Sequence, residues 1–228
     1  MTANPTSING KRKVFVTGGT GYLGRPLISL LLERGHEVRA LARPGSEGKL
    51  PAGCIPVIGN ALDAASYATQ IAPSDTFVQL VGVSHPSPSK GAEFRRIDFA
   101  SASGAIKAAA DARVQHFVYL SVAHPAPIMK TYIEVRSQCE QLLRASGMNV
   151  TILRPWYVLG PGHRWPYAII PLYWLFGLLP PSREGARRLG LVTLKQMTLT
   201  LANAVDQPVE GVRVAGVPEI RRGEFQDS

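Results

Sequence analysis

Apolar and polar positions along this chain alternate between two rhythms, one of period two and one of helical spacing. A β-branched run over residues 11–17 predicts a first strand. Leu23, Leu27, Leu30 and Leu31 then share one face of a helix predicted over 22–34, which Gly35 stops. A second strand over 37–42 completes a β-α-β unit. Short apolar runs predict a third strand over 55–58 and a fourth over 76–83, which enters a Pro/Ser-rich loop at 85–90. An alanine-rich stretch over 93–113 predicts a long helix whose small side chains allow close packing on a sheet. Strand, helix and strand follow over 115–121, 131–145 and 149–154, the last stopped by Pro155. Such alternation with short connections predicts an α/β protein with a doubly wound parallel sheet, the Rossmann fold.

Beyond Pro155 the periodicity weakens. Pro161, Pro166, Pro171, Pro180 and Pro181 break the region into short pieces. The expected organisation is a loose tail over 1–10, a Rossmann domain over 11–160 and a small C-terminal lobe over 161–228. That lobe would lie over the carboxyl ends of the strands, where ligands sit in such folds, with return elements packed on the same domain. Within it, Tyr167, Trp174 and Phe176 belong to an apolar segment over 167–179 that Pro171 and Gly177 interrupt, too short to span a bilayer. Three readings stay open: the wall of an apolar substrate pocket, a homodimer interface, or a peripheral membrane contact. Arg164, Arg183, Arg187 and Arg188 flank the segment and sustain the third.

The composition, 45% apolar and 18% charged over 228 residues, describes one ordinary globular core. The net charge of +9 is spread over both halves without a dense basic run or interleaved aromatics, so nucleic acid is not an expected partner. Cys54 and Cys139 stand far apart, and the five histidines form no ligand spacing. The expectation is a reduced cytoplasmic protein without a metal site. The tail lacks a basic region followed by an apolar one, so no secretory signal is expected.

The chemistry concentrates in residues 14–24. An apolar strand runs directly into G-x-x-G-x-x-G, with glycines at Gly18, Gly21 and Gly24, and a helix follows. Glycines permit the tight turn and the close approach of a pyrophosphate, and free N–H groups at the helix start face the anion. A dinucleotide is the expected ligand. Arg43 ends the second strand, where an acidic residue would accept hydrogen bonds from the adenosine ribose. A cation there suits a 2′-phosphate and predicts NADP over NAD, unless Arg43 is a solvated loop residue. Tyr132 and Arg136, four apart on a helix, share a face. A phenol beside a fixed cation has its phenolate favoured and can act as a general acid/base, the alternative being a packed Tyr132 with Arg136 in solvent.

With Thr-Gly-Gly-Thr-Gly-Tyr-Leu-Gly at 17–24, the chain has Gly-Asn-Ala-Leu-Asp at 59–63, Phe-Val-Tyr-Leu-Ser at 117–121, Tyr-x-x-x-Arg at 132–136 and Ile-Leu-Arg-Pro at 152–155. In this order, over roughly residues 11–160, it resembles the short-chain dehydrogenase/reductase superfamily, in the atypical or extended branch of sugar-nucleotide epimerase-like and NmrA-like proteins. The resemblance implies that Gly18, Thr20, Gly21, Tyr22, Leu23 and Gly24 cradle the pyrophosphate. It implies that Asn60 and Ala61 lie near the adenine, Val81 and Gly82 beside the cofactor, and Pro155 near the nicotinamide. Tyr132 would be the catalytic tyrosine, with Arg136 in place of the usual lysine, lowering its pKa and holding the nicotinamide ribose. Asn60 replaces the usual aspartate. Val122 falls where a Ser or Thr would polarise a substrate carbonyl, and Ser121 takes that role only if the register slips by one residue.

The implied activity is NADP-dependent oxidoreduction of a small apolar carbonyl or alcohol. A non-catalytic NADP(H)-binding redox sensor or complex-support protein is the alternative, and a nucleotide-sugar epimerase or dehydratase a further one.

Overall fold

A computed structural model describes residues 10–83, 86–126, 128–161, 189–223 and 225. The central sheet contains β1 (Lys13–Thr17), β2 (Glu37–Ala42), β3 (Ile55–Ile58), β4 (Thr76–Gln79), β5 (His116–Leu120), β6 (Asn149–Leu153) and β9 (Val212–Ala215). Their order is β3-β2-β1-β4-β5-β6-β9, and every pairing is parallel. A separate parallel pair joins β7 (Tyr157–Leu159) to β8 (Leu191–Thr193). The helices are α1 (Gly24–Glu33), α2 (Gly91–Glu93), α3 (Ala100–Asp111), α4 (Lys130–Ala145), α5 (Leu194–Asp206) and α6 (Val217–Arg222). This is the doubly wound parallel architecture that the alternation of strands and helices predicts.

The inner strands β1, β4, β5 and β6 are buried on both faces, and their side chains of period two feed two cores. Val14, Val16, Val78 and Val118 point to one face, where Leu27, Ile28 and Leu31 of α1 meet Met197, Leu201 and Val205 of α5. Phe15, Phe77 and Phe117 point to the other, facing Ala102, Ala105 and Ala109 of α3 and Cys139 and Leu143 of α4. There the rings of β1, β4 and β5 stack in a row, with centroids 5.2 and 5.0 Å apart. The alanines of α3 leave room for that row.

Several boundaries differ from the sequence expectation for identifiable reasons. The Gly21 N–H bonds to the Gly18 carbonyl in a turn, so α1 begins at Gly24 rather than Tyr22. β4 ends at Gln79 rather than Val83, whose N–H goes to the Asp98 carboxylate instead of a neighbouring strand. The long helix expected over 93–113 is divided by a π-helical turn, Phe94–Phe99. Beyond residue 188 the chain returns to the sheet, and β9 extends it at the β6 edge. The apolar segment over 167–179 and its flanking arginines lie outside the described residues, as does the tail over 1–9. No helix among the described residues is long and apolar enough to cross a membrane.

Candidate active site

β1 lies between β2 and β4, so the connections leaving β1 and β4 diverge and open a crevice at their carboxyl ends. The glycine turn fills its mouth. Gly18 has φ +73°, and a Cβ there would press on the backbone of Leu80 and Val81 at 3.1–3.2 Å. A Cβ on Gly24 would collide with the Gly18 carbonyl oxygen, so the helix seats on the turn only without a side chain. No side chain caps α1 at Leu23, and its first turn contains no acidic residue. The positive end of the helix is therefore left to an external anion, which is the fit a pyrophosphate requires.

The expected adenosine contacts lie on loops at the same end of the sheet. Arg43 follows β2 and is exposed; its carbonyl accepts the Ser46 N–H. Asn60 is exposed, and its Oδ1 accepts the Leu62 N–H at 3.0 Å, leaving the side-chain NH2 as the outward group. Ala61 packs against the core cluster that includes Tyr67 and Ile71. Thr20, Gly21 and Tyr22 border a cavity of about 560 Å³ along the outer face of α1. Arg25 and Lys49 also line it, two cations that the sequence reading did not single out.

At the other end of the turn, Tyr22, Leu23, Ser121, Val122, Tyr132 and Pro155 line a cleft of about 220 Å³. Residues far apart in sequence thus meet in one place. Val83, Leu120, Trp156 and Val158 add apolar surface, and none of the described lining side chains is charged. Trp156 and Tyr157 were not anticipated. Their position directly after the Ile-Leu-Arg-Pro motif was the available signal.

The polar groups behind the cleft are tightly engaged. Ser121 is buried and donates its hydroxyl to Glu140 Oε1 at 2.6 Å. Glu140, also buried, receives Arg154 through Nε at 3.0 Å and through Nη2, with His124 Nε2 3.6 Å away. Burial alone would raise the Glu140 carboxyl, but Arg154, Ser121 and His124 together hold it below its ordinary value. Arg136 points into the interior. Its Nη2 meets Asp98 Oδ1 at 2.5 Å, and its Nη1 donates to the Leu120 carbonyl at 2.7 Å and the Tyr119 hydroxyl at 3.3 Å.

The half-buried Tyr132 ring lies with its centroid 5.2 Å from the Arg136 guanidinium carbon and 4.8 Å from the Phe94 ring. Burial raises the Tyr132 phenol, and Asp98 adds to the rise. Arg136 pulls the other way without overcoming them. The net direction is upward, opposite to the expectation from the four-residue spacing. The phenol is held as a neutral acid.

A family profile described as NAD(P)H-binding matches residues 18–164. A 4-hydroxy-2-methyl-3-oxo-4-farnesyl-3,4-dihydroquinoline-1-oxide ketoreductase of Stigmatella aurantiaca is 32% identical over 65% of this chain and 51% of its own length. A 3-beta-hydroxysteroid dehydrogenase of Mycolicibacterium neoaurum is 30% identical over 51% of this chain and 33% of its own length. The chain therefore spans between a third and about half of the length of these relatives. Among solved structures, the Bordetella bronchiseptica enzyme WbmH in complex with NAD+ superposes with a TM-score of 0.66 at 25% identity, over 89% of this chain and 75% of that one. The chain belongs to the NAD(P)H-binding family, within the extended branch of the short-chain dehydrogenase/reductase superfamily.

Proposed function

We propose that the chain is an NADP(H)-dependent reductase of an uncharged, apolar carbonyl compound. One observation carries this reading: Tyr132 lines the same cleft as Tyr22 and Leu23 of the glycine turn, and no charged side chain lines it among the described residues. A substrate bearing a diphosphate would call for cations, and none is present among the described lining residues. The two relatives are named for a farnesyl-bearing ketone and a steroid, both largely apolar.

When bound, the nicotinamide supplies the hydride. Tyr132 donates its phenolic proton to the carbonyl oxygen as the carbon–oxygen double bond opens to an alcohol, and regains it from solvent. Ser121, whose proton is committed to Glu140, has no donor left for the carbonyl oxygen, so proton donation rests on Tyr132. Arg43, an exposed cation that follows β2, favours NADP over NAD, and Arg25 and Lys49 line the cavity beside Thr20, Gly21 and Tyr22. Free thiols at Cys54 and Cys139 suit a reduced, cytoplasmic setting.

A second reading, a non-catalytic NADP(H)-binding protein, draws on a different observation. Ser121 and Arg136, the groups that would assist Tyr132, are both bonded to buried carboxylates.

Fluorescence titration with NADPH and NADH, followed by turnover on a panel of apolar aldehydes and ketones, separates the two. The reductase reading expects tighter binding of NADPH and turnover that falls about 10²- to 10⁴-fold in Tyr132→Phe. Arg43→Ala is expected to weaken NADPH about tenfold and leave NADH unchanged. Binding without turnover across the panel supports the second reading, and failure to bind either dinucleotide removes both.

A further inference from the structure

Arg136 occupies the lysine position of the Tyr-x-x-x-Lys pattern, yet its contacts are internal. It is 4% exposed, and its carboxylate partner Asp98 is wholly buried. The second oxygen of Asp98 accepts the Val83 N–H at 3.0 Å. Gly82 lies directly on the pair: a Cβ there would run into the guanidinium and stand 3.0 Å from Asp98 Oδ1. The same guanidinium holds the Leu120 carbonyl and lies 5.2 Å from the centre of the Tyr132 ring. Val83, Leu120 and Tyr132 all line the cleft, and they come from the exit of β4, the exit of β5 and α4.

Resting on the reductase reading above, we infer that Asp98 and Arg136 are positioning residues that clamp these three walls of the cleft and set Tyr132 against them, with Arg136 making no contact to the cofactor. Physical chemistry demands both partners. A lone charge in this interior is costly, and only a planar fork reaches a carboxylate, a carbonyl and a hydroxyl at once. A lysine ammonium is a point charge and does not span them. The π-helical turn over Phe94–Phe99 supplies the other half of the device. It carries Asp98 to the guanidinium and Phe94 against the Tyr132 ring. Burial and Asp98 together offset the pull of Arg136 on the phenol, which keeps its proton for donation.

The test compares Arg136→Lys, Arg136→Gln and Asp98→Asn with the parent chain. NADPH affinity is read by fluorescence, kcat and KM with an apolar ketone, and hydrogen exchange at the Val83 amide. The clamp predicts that all three variants lose kcat by about 10- to 100-fold while NADPH affinity changes less than about threefold. A direct contact with the cofactor predicts the reverse: Arg136→Gln loses NADPH affinity, and Arg136→Lys restores both affinity and kcat. That pattern overturns the inference. Because a broken buried pair can prevent folding, the exchange measurement is also made on the parent chain without cofactor. There Val83 must exchange slowly; free exchange overturns the clamp whatever the variants do. A parent chain that binds NADPH but shows no turnover removes the reductase reading and with it the role of setting Tyr132 for reaction. The Val83 and NADPH measurements then still decide the clamp itself.

Discussion

His116 opens β5 and is 2% exposed, with Nε2 3.0 Å from the Thr151 hydroxyl. Burial, and then the positive charges of Arg213 and Arg12, push its pKa down from 6.5 to about 3. Between these values only the unfolded chain takes up the proton, so stability is full above pH 6.5 and falls as the pH drops towards 3. Near pH 4.5 the loss amounts to about 3 kcal/mol. Urea unfolding at pH 7.5 and 4.5 measures it directly. His116→Gln, which has no proton to take up, is expected to show a smaller difference between the two pH values by about that amount. An unchanged difference would show that the acid sensitivity resides elsewhere; Glu140 would not account for it, because its lowered pKa keeps its contribution until more acidic pH.

At the scale of elements, the start of α5 is fixed by a reciprocal cap. Thr193 Oγ1 accepts the Gln196 N–H at 3.1 Å, and Gln196 Oε1 accepts the Thr193 N–H at 2.9 Å. Thr193→Ala is expected to cost about 1 kcal/mol, read as a lower urea midpoint with an unchanged slope. The cap was legible: Thr-Leu-Lys-Gln leads into the apolar positions Met197, Leu201 and Val205 at helical spacing. β9 is different. Its exposed Val212 and Val214 become a strand through pairing with β6, a long-range fact that no local window contains. The β-α-β unit and the glycine turn were legible because propensity, periodicity and close packing all act within a few residues. In the site, the family resemblance pointed to Tyr22, Leu23 and Pro155, and to Tyr132 together with its spacing from Arg136; all four line the cleft. Asp98 was not found. It stands 38 residues from Arg136 in a stretch that reads as one continuous helix, and only the π-helical turn brings the two together. Asp98 stands close to Glu93, Arg95 and Arg96, so nothing local marks it out, and the Tyr132/Arg136 spacing alone gave the wrong direction for the phenol.

At the scale of the whole molecule, the C-terminal return holds the cofactor half from behind. Asp206, at the end of α5, accepts hydrogen bonds from Arg34 at the end of α1 and pairs with His36 Nε2 at 2.7 Å, 170 residues away. His36 Nδ1 accepts the Arg12 N–H at 3.1 Å, which extends the tie to the entry of β1. Arg34 also donates to Asn203, and Asn203 to the Gly223 carbonyl, so the two ends of the chain share one polar seam beneath the α1–α5 contact. Asp206→Ala leaves Arg34 and His36 facing each other without the carboxylate. Because Arg34 is 20% exposed, water relieves part of that loss. The expected cost is about 2–3 kcal/mol, below that of a fully buried broken pair, or roughly 4–12 °C in Tm for a chain of this size. The damage lies at the carboxyl end of α1, whereas the glycine turn lies at its amino end. NADPH affinity should therefore survive, and NADPH at about 100 times its Kd should return about 2.7 kcal/mol of stability. Thermal unfolding of the variant with and without NADPH checks both parts. A variant that unfolds early and is not rescued by NADPH would mean that the seam sets the glycine turn itself, and that binding and folding in this protein are one transition.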